Sequence, residues 1–266
     1  MNAKHVVSVD GTEIVYWQCG AGPALVLVHG GICDHMAWHA VVPLLARHFT
    51  VVTFDRRGRG ESGDAPAHSV AREIEDIDSV LRTVGEPAVL VGHSAGAILS
   101  LAAAQSSRLR ALVVYEPPFI LEGTREHPDP ALVAVMKDLL GQGRREDVLR
   151  LAMRESVGVS DTEFDQLRIG PGWKHLLGVA PAVPYDWKIW EERFDPQRLA
   201  ALKIPVLVLL GSESPSWIRT STEAVHGVIP GAMLSLLPGQ EHFAMLTAPE
   251  LFAQQVTSFA LQHCQP

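Results

Sequence analysis

Cysteine is scarce in this chain, with only 3 among 266 residues. Cys19, Cys33 and Cys264 stand far apart, which excludes a disulfide framework and points to a reduced protein with free thiols. Long hydrophobic runs are missing too: no stretch approaches the roughly 18 apolar residues that a membrane span needs. Residues 1–10 hold one lysine and no apolar run of signal-peptide length, so the expected location is cytoplasmic. Positive charge is in deficit, with 22 Lys and Arg against 30 Asp and Glu and a formal net charge of -8. Nucleic acid and anionic membrane surfaces both require a basic patch, so neither is expected as a partner. Arg56, Arg57 and Arg59 are the densest basic group. Without interleaved aromatics they read as part of a loop rather than a binding stripe.

What is present suits a globular chain. Hydrophobic residues make up 47% and charged residues 20%, enough for one large core or a core with a modest insertion. Asp10-Gly11, between residues 5–9 and 12–18, predicts a β-hairpin. Unbroken apolar runs follow at 24–28, 49–54, 88–91, 111–115, 205–210 and 233–237. Such runs suit strands buried on both faces of a parallel sheet. Val70, Ile74, Ile77, Leu81 and Val84 fall on one helix face, and Gly85 stops that helix. Residues 95–105 are rich in alanine and leucine, and 251–261 form a closing amphipathic helix with Pro249 near its start. This alternation predicts an α/β fold with a mostly parallel, doubly wound sheet of about eight strands. Residues 118–199 break the rhythm. They hold proline, glycine and tryptophan but no strand-like run, and they are too long for a bare loop. They are expected to form a helical cap inserted after the sixth strand, leaving 1–117 and 200–266 as the core.

Open α/β sheets bind ligands at the carboxyl ends of their strands. His29, Asp55, Ser94, Glu116, Glu213 and His242 all fall at or just past such ends. Ser94 has a special context, because Gly92-His93-Ser94-Ala95-Gly96 follows a buried run and opens an alanine-rich helix. The G-x-S-x-G spacing lifts the serine hydroxyl above the sheet on a strained turn. Its glycines let strand and helix backbones pass closely, and the helix start aims free N–H groups at developing negative charge.

These residues together resemble the α/β-hydrolase-fold superfamily, of the serine-nucleophile esterase type. The resemblance rests on four segments: His29-Gly30-Gly31, Asp55-Arg56-Arg57-Gly58-Arg59-Gly60-Glu61-Ser62, Gly92-His93-Ser94-Ala95-Gly96, and Gly239-Gln240-Glu241-His242. It runs along nearly the whole chain, while the cap matches only in position and length. The resemblance implies Ser94 as nucleophile and His242, in the loop after the last strand, as its general base. It implies an oxyanion hole from the backbone N–H groups of Gly31 and Ala95. His93 resembles the usual structural residue of the elbow, and Asp55 with its arginines resembles a side-chain-tied turn.

The acid departs from the family pattern. An aspartate is usual a few residues past the strand at 205–210, but Gly211-Ser212-Glu213-Ser214-Pro215 has none, and Ser214 occupies the expected position. Some family members carry the acid directly after the strand that follows the nucleophile helix, where Glu116 stands here. Pro117-Pro118 can hold that carboxylate still. Glu116 is therefore the first choice and Glu213 the alternative.

Neither a metal nor a cofactor is expected. His35 and His39 are spaced for a metal, but no adjacent carboxylate completes a metal-protease helix motif. The first buried run is followed by His29-Gly30-Gly31-Ile32-Cys33-Asp34, which lacks the third glycine of a dinucleotide fingerprint. Trp38, Trp187 and Trp190 are the expected substrate-binding walls, and an apolar lining favours a small hydrophobic ester. A lactone, a thioester or an activated carbon–carbon bond fits the same site. A different class is a small-ligand binding protein built on this fold, which would lack an activated serine.

Overall fold

Eight strands form a single sheet: β1 (Lys4–Val7), β2 (Glu13–Cys19), β3 (Ala24–Val28), β4 (Thr50–Phe54), β5 (Ala88–His93), β6 (Leu109–Tyr115), β7 (Val206–Gly211) and β8 (Met233–Leu237). Their order is β1-β2-β4-β3-β5-β6-β7-β8. β2 pairs antiparallel with β1 and with β4, and every other neighbouring pair is parallel. The structure, a computed structural model, describes residues 2–106 and 108–264.

The unbroken apolar runs have a direct cause. Alternate side chains of a strand point to opposite faces, and here both faces are covered. In β3, Val26 and Val28 enter one apolar cluster while Leu25 and Leu27 enter another. In β5, Ala88 and Leu90 divide from Val89 and Val91 in the same way. β8 differs from its sequence reading. It is the sheet edge, and Met233 and Leu236 are 50% and 52% exposed, so its apolar run is not buried on both faces.

The helices follow in chain order: α1 (Val42–Leu45), α2 (Val70–Thr83), α3 (Ala95–Ala103), α4 (Leu132–Gly141), α5 (Arg145–Val157), α6 (Asp161–Ile169), α7 (Trp173–Val179), α8 (Val183–Trp190), α9 (Pro196–Ala200), α10 (Ser216–Val228), α11 (Ala244–Thr247) and α12 (Pro249–His263). One face of the sheet is covered by Ile77 and Val80 of α2, Ile98 of α3 and Val225 of α10. The other is covered by Leu45 of α1 with Phe252, Val256 and Phe259 of α12. The helices α4 to α9 all lie between β6 and β7, so a helical cap interrupts the core after the sixth strand. Met136, Leu149, Phe164, Val183 and Trp187 form a separate cluster within it. Among the described residues, no helix is long and apolar enough to cross a membrane.

Candidate active site

Ser94 links β5 to α3 with φ 54° and ψ −125°. Backbone crowding dictates the glycines on either side. A Cβ at Gly96 would lie 2.4 Å from the carbonyl oxygens of both Val28 and His29, and one at Gly92 would lie 2.5 Å from the Gly96 carbonyl oxygen. Three non-glycine residues among those described have positive φ: Ile32 (50°), Ser94 (54°) and Glu116 (49°). They follow β3, β5 and β6, which are adjacent in the sheet. Each such conformation costs on the order of 1–3 kcal/mol, and such strain gathers where function fixes the backbone.

Hydrogen bonds anchor the loop that carries His242. The Tyr115 hydroxyl donates to the Glu241 carbonyl and accepts from the Ala244 N–H at 3.2 Å. His93 Nε2–H donates to the His242 carbonyl at 2.8 Å, and the two imidazole centroids are 4.6 Å apart. Burial, with His242 nearby, pushes His93 well below the usual histidine value, so this imidazole stays neutral.

The structure brings Glu116 to His242. His242 Nδ1–H donates to Glu116 Oε2 at 2.6 Å, which leaves Nε2 with a free lone pair. Glu116 is fully buried, and its other oxygen accepts from Gly211 N at 2.7 Å and Ser214 Oγ at 2.5 Å. Three donors thus satisfy a charge that burial would otherwise disfavour. Glu213 lies differently: it is exposed, and its carboxylate accepts from Ser212 Oγ at 2.9 Å.

The glycine loop after β3 runs against the elbow, and a Cβ added to Gly30 would lie 3.1 Å from Ser94 Cβ. The Gly30 carbonyl accepts from His29 Nδ1 and from Arg56 Nη1, both at 2.9 Å. His29 Nε2 accepts from Arg56 N at 3.1 Å, and burial, reinforced by Arg56 and Arg59, holds this imidazole well below its usual value. Ala95 is the first residue of α3, so its N–H has no intrahelical acceptor. At Gly31 an added Cβ would lie 3.1 Å from the Asp186 carboxyl carbon, and the next N–H, of Ile32, donates to Asp186 Oδ2 at 3.0 Å.

The arginines of the loop after β4 are buried and paired. Arg56, Arg57 and Arg59 are at most 1% exposed. Arg56 forms a two-pronged pair with Glu73 at 2.6 and 2.9 Å, Arg57 does the same with Asp76 at 2.7 Å on each prong, and Arg59 reaches Asp186 at 2.6 Å. Burial alone would raise the Glu73 carboxyl, but Arg56, His68 and Arg59 together outweigh it and hold the group well below its usual value. Asp55 ties the turn, accepting from His35 N at 2.9 Å, His35 Nδ1 at 2.7 Å and Glu61 N at 2.8 Å. His39 does not join His35 as a ligand pair, because it is exposed and its Nδ1 donates to the Met36 carbonyl at 2.9 Å. Cys33 is no ready nucleophile, since burial pushes its thiol up to about 12.

Trp38 is fully buried in the core, with its ring centroid 6.0 Å from Phe252 and 6.3 Å from His93. It therefore offers no surface to a substrate in this conformation. Trp187 is 2% exposed within the cap cluster, and the partly exposed Trp190 packs against it with the ring centroids 4.9 Å apart and the planes tilted by 49°. Asp186 and the buried role of Arg56 and Arg59 escape sequence reasoning, because the Asp186 contacts to Arg59 and Ile32 span 127 and 154 residues. No local pattern announces such pairs.

Residues 25–255 match the model of the Alpha/beta hydrolase family. An alpha/beta hydrolase from Sphaerobacter thermophilus DSM 20745 superposes with a TM-score of 0.88 at 37% identity, covering 96% of this chain and 99% of that one. A pimeloyl-[acyl-carrier protein] methyl ester esterase of Yersinia enterocolitica is 25% identical over 93% of this chain and 98% of its own length. A non-heme haloperoxidase of Rhodococcus erythropolis is 26% identical over 89% of this chain and 92% of its own. The chain belongs to the alpha/beta hydrolase family and is an enzyme of the hydrolase type.

Proposed function

We propose that this chain is a serine hydrolase that cleaves a carboxylic ester of a small hydrophobic substrate through an acyl-enzyme on Ser94. The observation that carries the reading is the 2.6 Å contact from His242 Nδ1 to the buried Glu116 carboxylate, beside a strained serine elbow. The Nδ1–H bond leaves His242 Nε2 as the base. Nε2 takes the Ser94 proton as Oγ attacks the carbonyl carbon, and Glu116 stabilises the imidazolium that forms. The tetrahedral oxyanion is held by the N–H groups of Gly31 and Ala95. As the intermediate collapses, the leaving alkoxide takes the proton from Nε2. Water then attacks the acyl-enzyme, with Nε2 again accepting the proton, and Ser94 is released with it restored.

A hydrophobic substrate is supported by Phe243, a 51% exposed ring with its centroid 5.3 Å from that of His242. Residues 118–199 act as the cap over the core at 1–117 and 200–266, with the partly exposed Trp190 shaping the acyl site and the buried Trp187 supporting it from the cap core. Three free cysteines support a cytoplasmic setting.

Hydrolysis of a series of p-nitrophenyl esters of rising acyl length, beside Ser94→Ala, tests the proposal. Activity that vanishes in the variant is expected. Persistent activity in Ser94→Ala would contradict the mechanism. A wild type that reacts with lactones, thioesters or activated carbon–carbon bonds but not with simple esters would keep the site and change the substrate.

A further inference from the structure

The carbonyl of Gly30 and the N–H of Gly31 belong to one peptide group. In a trans peptide these two bonds point in opposite directions, so fixing the carbonyl fixes where the N–H points. Arg56 Nη1 and His29 Nδ1 both bind the Gly30 carbonyl at 2.9 Å. The following N–H, of Ile32, is held by Asp186 Oδ2 at 3.0 Å. Ile32 itself has φ 50°, a conformation that a β-branched side chain resists and that its surroundings must impose. The peptide that carries the Gly31 N–H is therefore clamped on both sides.

One clamp comes from the core and the other from the cap. Asp186 lies on α8, and its second oxygen binds Arg59 at 2.6 Å and Arg56 at 3.3 Å. Arg56 in turn is locked to Glu73 of α2. All four side chains are at most 2% exposed, and two guanidinium groups balance two carboxylates. A buried network of this kind has a strongly preferred arrangement, because any break leaves a charge unpaired. A Cβ at residue 31 would press on the Asp186 carboxyl at 3.1 Å, so the glycine there also makes room for the cap carboxylate.

We propose that Asp186 is a positioning residue for the reaction: from the cap it fixes Ile32, and through Arg56 the Gly30 carbonyl, so that the Gly31 N–H points at the developing oxyanion. The assignment rests on the reading of Gly31 as an oxyanion donor. It makes the oxyanion hole a joint product of cap and core, complete only while α8 is docked on the glycine loop. Such a residue stabilises the transition state more than the bound substrate, so its loss appears in kcat and not in KM.

Two variants test this. Asp186→Leu combined with Arg59→Met removes the carboxylate and a countercharge together, leaves Arg56 paired with Glu73, and deprives Ile32 of its acceptor. Asp186→Asn keeps the side-chain size. Its single oxygen turns to the guanidinium groups, which leaves its amide N–H₂ facing the Ile32 N–H, donor against donor. If the double variant does not fold, the Asn variant carries the test. The readouts are kcat, KM, the melting temperature and the Ki of a trifluoromethyl ketone, which forms a serine hemiketal whose oxygen occupies the oxyanion hole. In a folded variant, kcat is expected to fall about 10- to 100-fold with KM within about threefold, given that a lost oxyanion donor costs roughly 10²–10³. The ketone Ki should rise by the same factor as kcat/KM falls. Wild-type kcat and ketone Ki, or a change confined to KM, would overturn the role of Asp186. Wild-type protein that fails to react with a serine-directed phosphonate would instead overturn the reading of the site on which the proposal rests.

Discussion

Ser214 Oγ donates to Glu116 Oε1 at 2.5 Å, while the other oxygen of that carboxylate receives His242 Nδ1 at 2.6 Å. The carboxylate that meets His242 thus comes from the end of β6, and the loop after β7 contributes its hydroxyl as a support. Gly211 N adds a further bond at 2.7 Å, so the two neighbouring strand ends hold a single carboxylate. Glu116 has no exposed surface, and its backbone is held at φ 49° between β6 and Pro117-Pro118. A carboxylate fixed in this way selects one tautomer of His242 and leaves Nε2 free.

Glu116→Gln is expected to lower kcat strongly, by up to about 10⁴, because the amide no longer stabilises the imidazolium or selects its tautomer. Glu213→Gln should leave kcat within about twofold, since Glu213 is exposed and bonded to Ser212. Steady-state kinetics on one ester decides this, and the reverse pattern would move the acid to Glu213.

Gly96→Ala places a Cβ 2.4 Å from two backbone carbonyl oxygens that cannot swing aside. The expected result is a destabilisation of about 1–3 kcal/mol or a failure to fold. Gly178→Ala, in α7 with nothing within 4 Å of the new Cβ, should be neutral or stabilising by up to about 1 kcal/mol. Melting curves of the two variants check the contrast, and equal effects would contradict the close crossing at the elbow.

Stability should fall with acid in the histidine range. Burial holds His29 and His93 well below the 6.5 of a free imidazole. Between those depressed values and pH 6.5 the unfolded chain binds more protons than the folded one, so stability rises with pH across that window. It is complete above pH 6.5 and is lost as pH falls, at about 1.4 kcal/mol per pH unit for each histidine. His35 acts in the opposite sense: burial lowers it, but the bond to Asp55 and the charges of Asp55, Asp34 and Glu61 together outweigh burial and raise it, so its contribution is lost as pH rises through its folded value. With two histidines against one, the melting temperature should drop between about pH 6.5 and about pH 5. A flat profile across that interval would contradict the buried, neutral state of His29 and His93.

Much of this molecule is legible in its sequence because its signals are local. The runs at 24–28 and 88–91 read as buried strands because alternate residues serve two covered faces. The elbow is legible because glycine at 92 and 96 is sterically required. Signals carried by distant pairs were not legible. Arg56 and Arg59 read as part of a side-chain-tied loop, but their partners Glu73 and Asp186 meet them only in space. The sequence suggests Trp38 as a pocket wall, but α12 brings Phe252 against it and draws the ring into the core. The run at 233–237 announces a strand without announcing that it stands at an edge of the sheet.

Trp190→Ala should change the preferred acyl chain length, because the ring is partly exposed beside Trp187 in the cap. Trp187→Ala should shift the same preference and also cost about 3–5 kcal/mol, since its ring fills the cap core. Relative kcat/KM across an acyl series measures the shift, and an unchanged preference in both variants would place specificity elsewhere.

An activated Ser94 should react covalently with a fluorophosphonate, and mass spectrometry of the intact protein detects the adduct. One adduct per chain is expected, mapped to the peptide carrying Ser94, absent from Ser94→Ala and greatly slowed in Glu116→Gln. No adduct on the wild type, or an adduct that persists in Ser94→Ala, would contradict it.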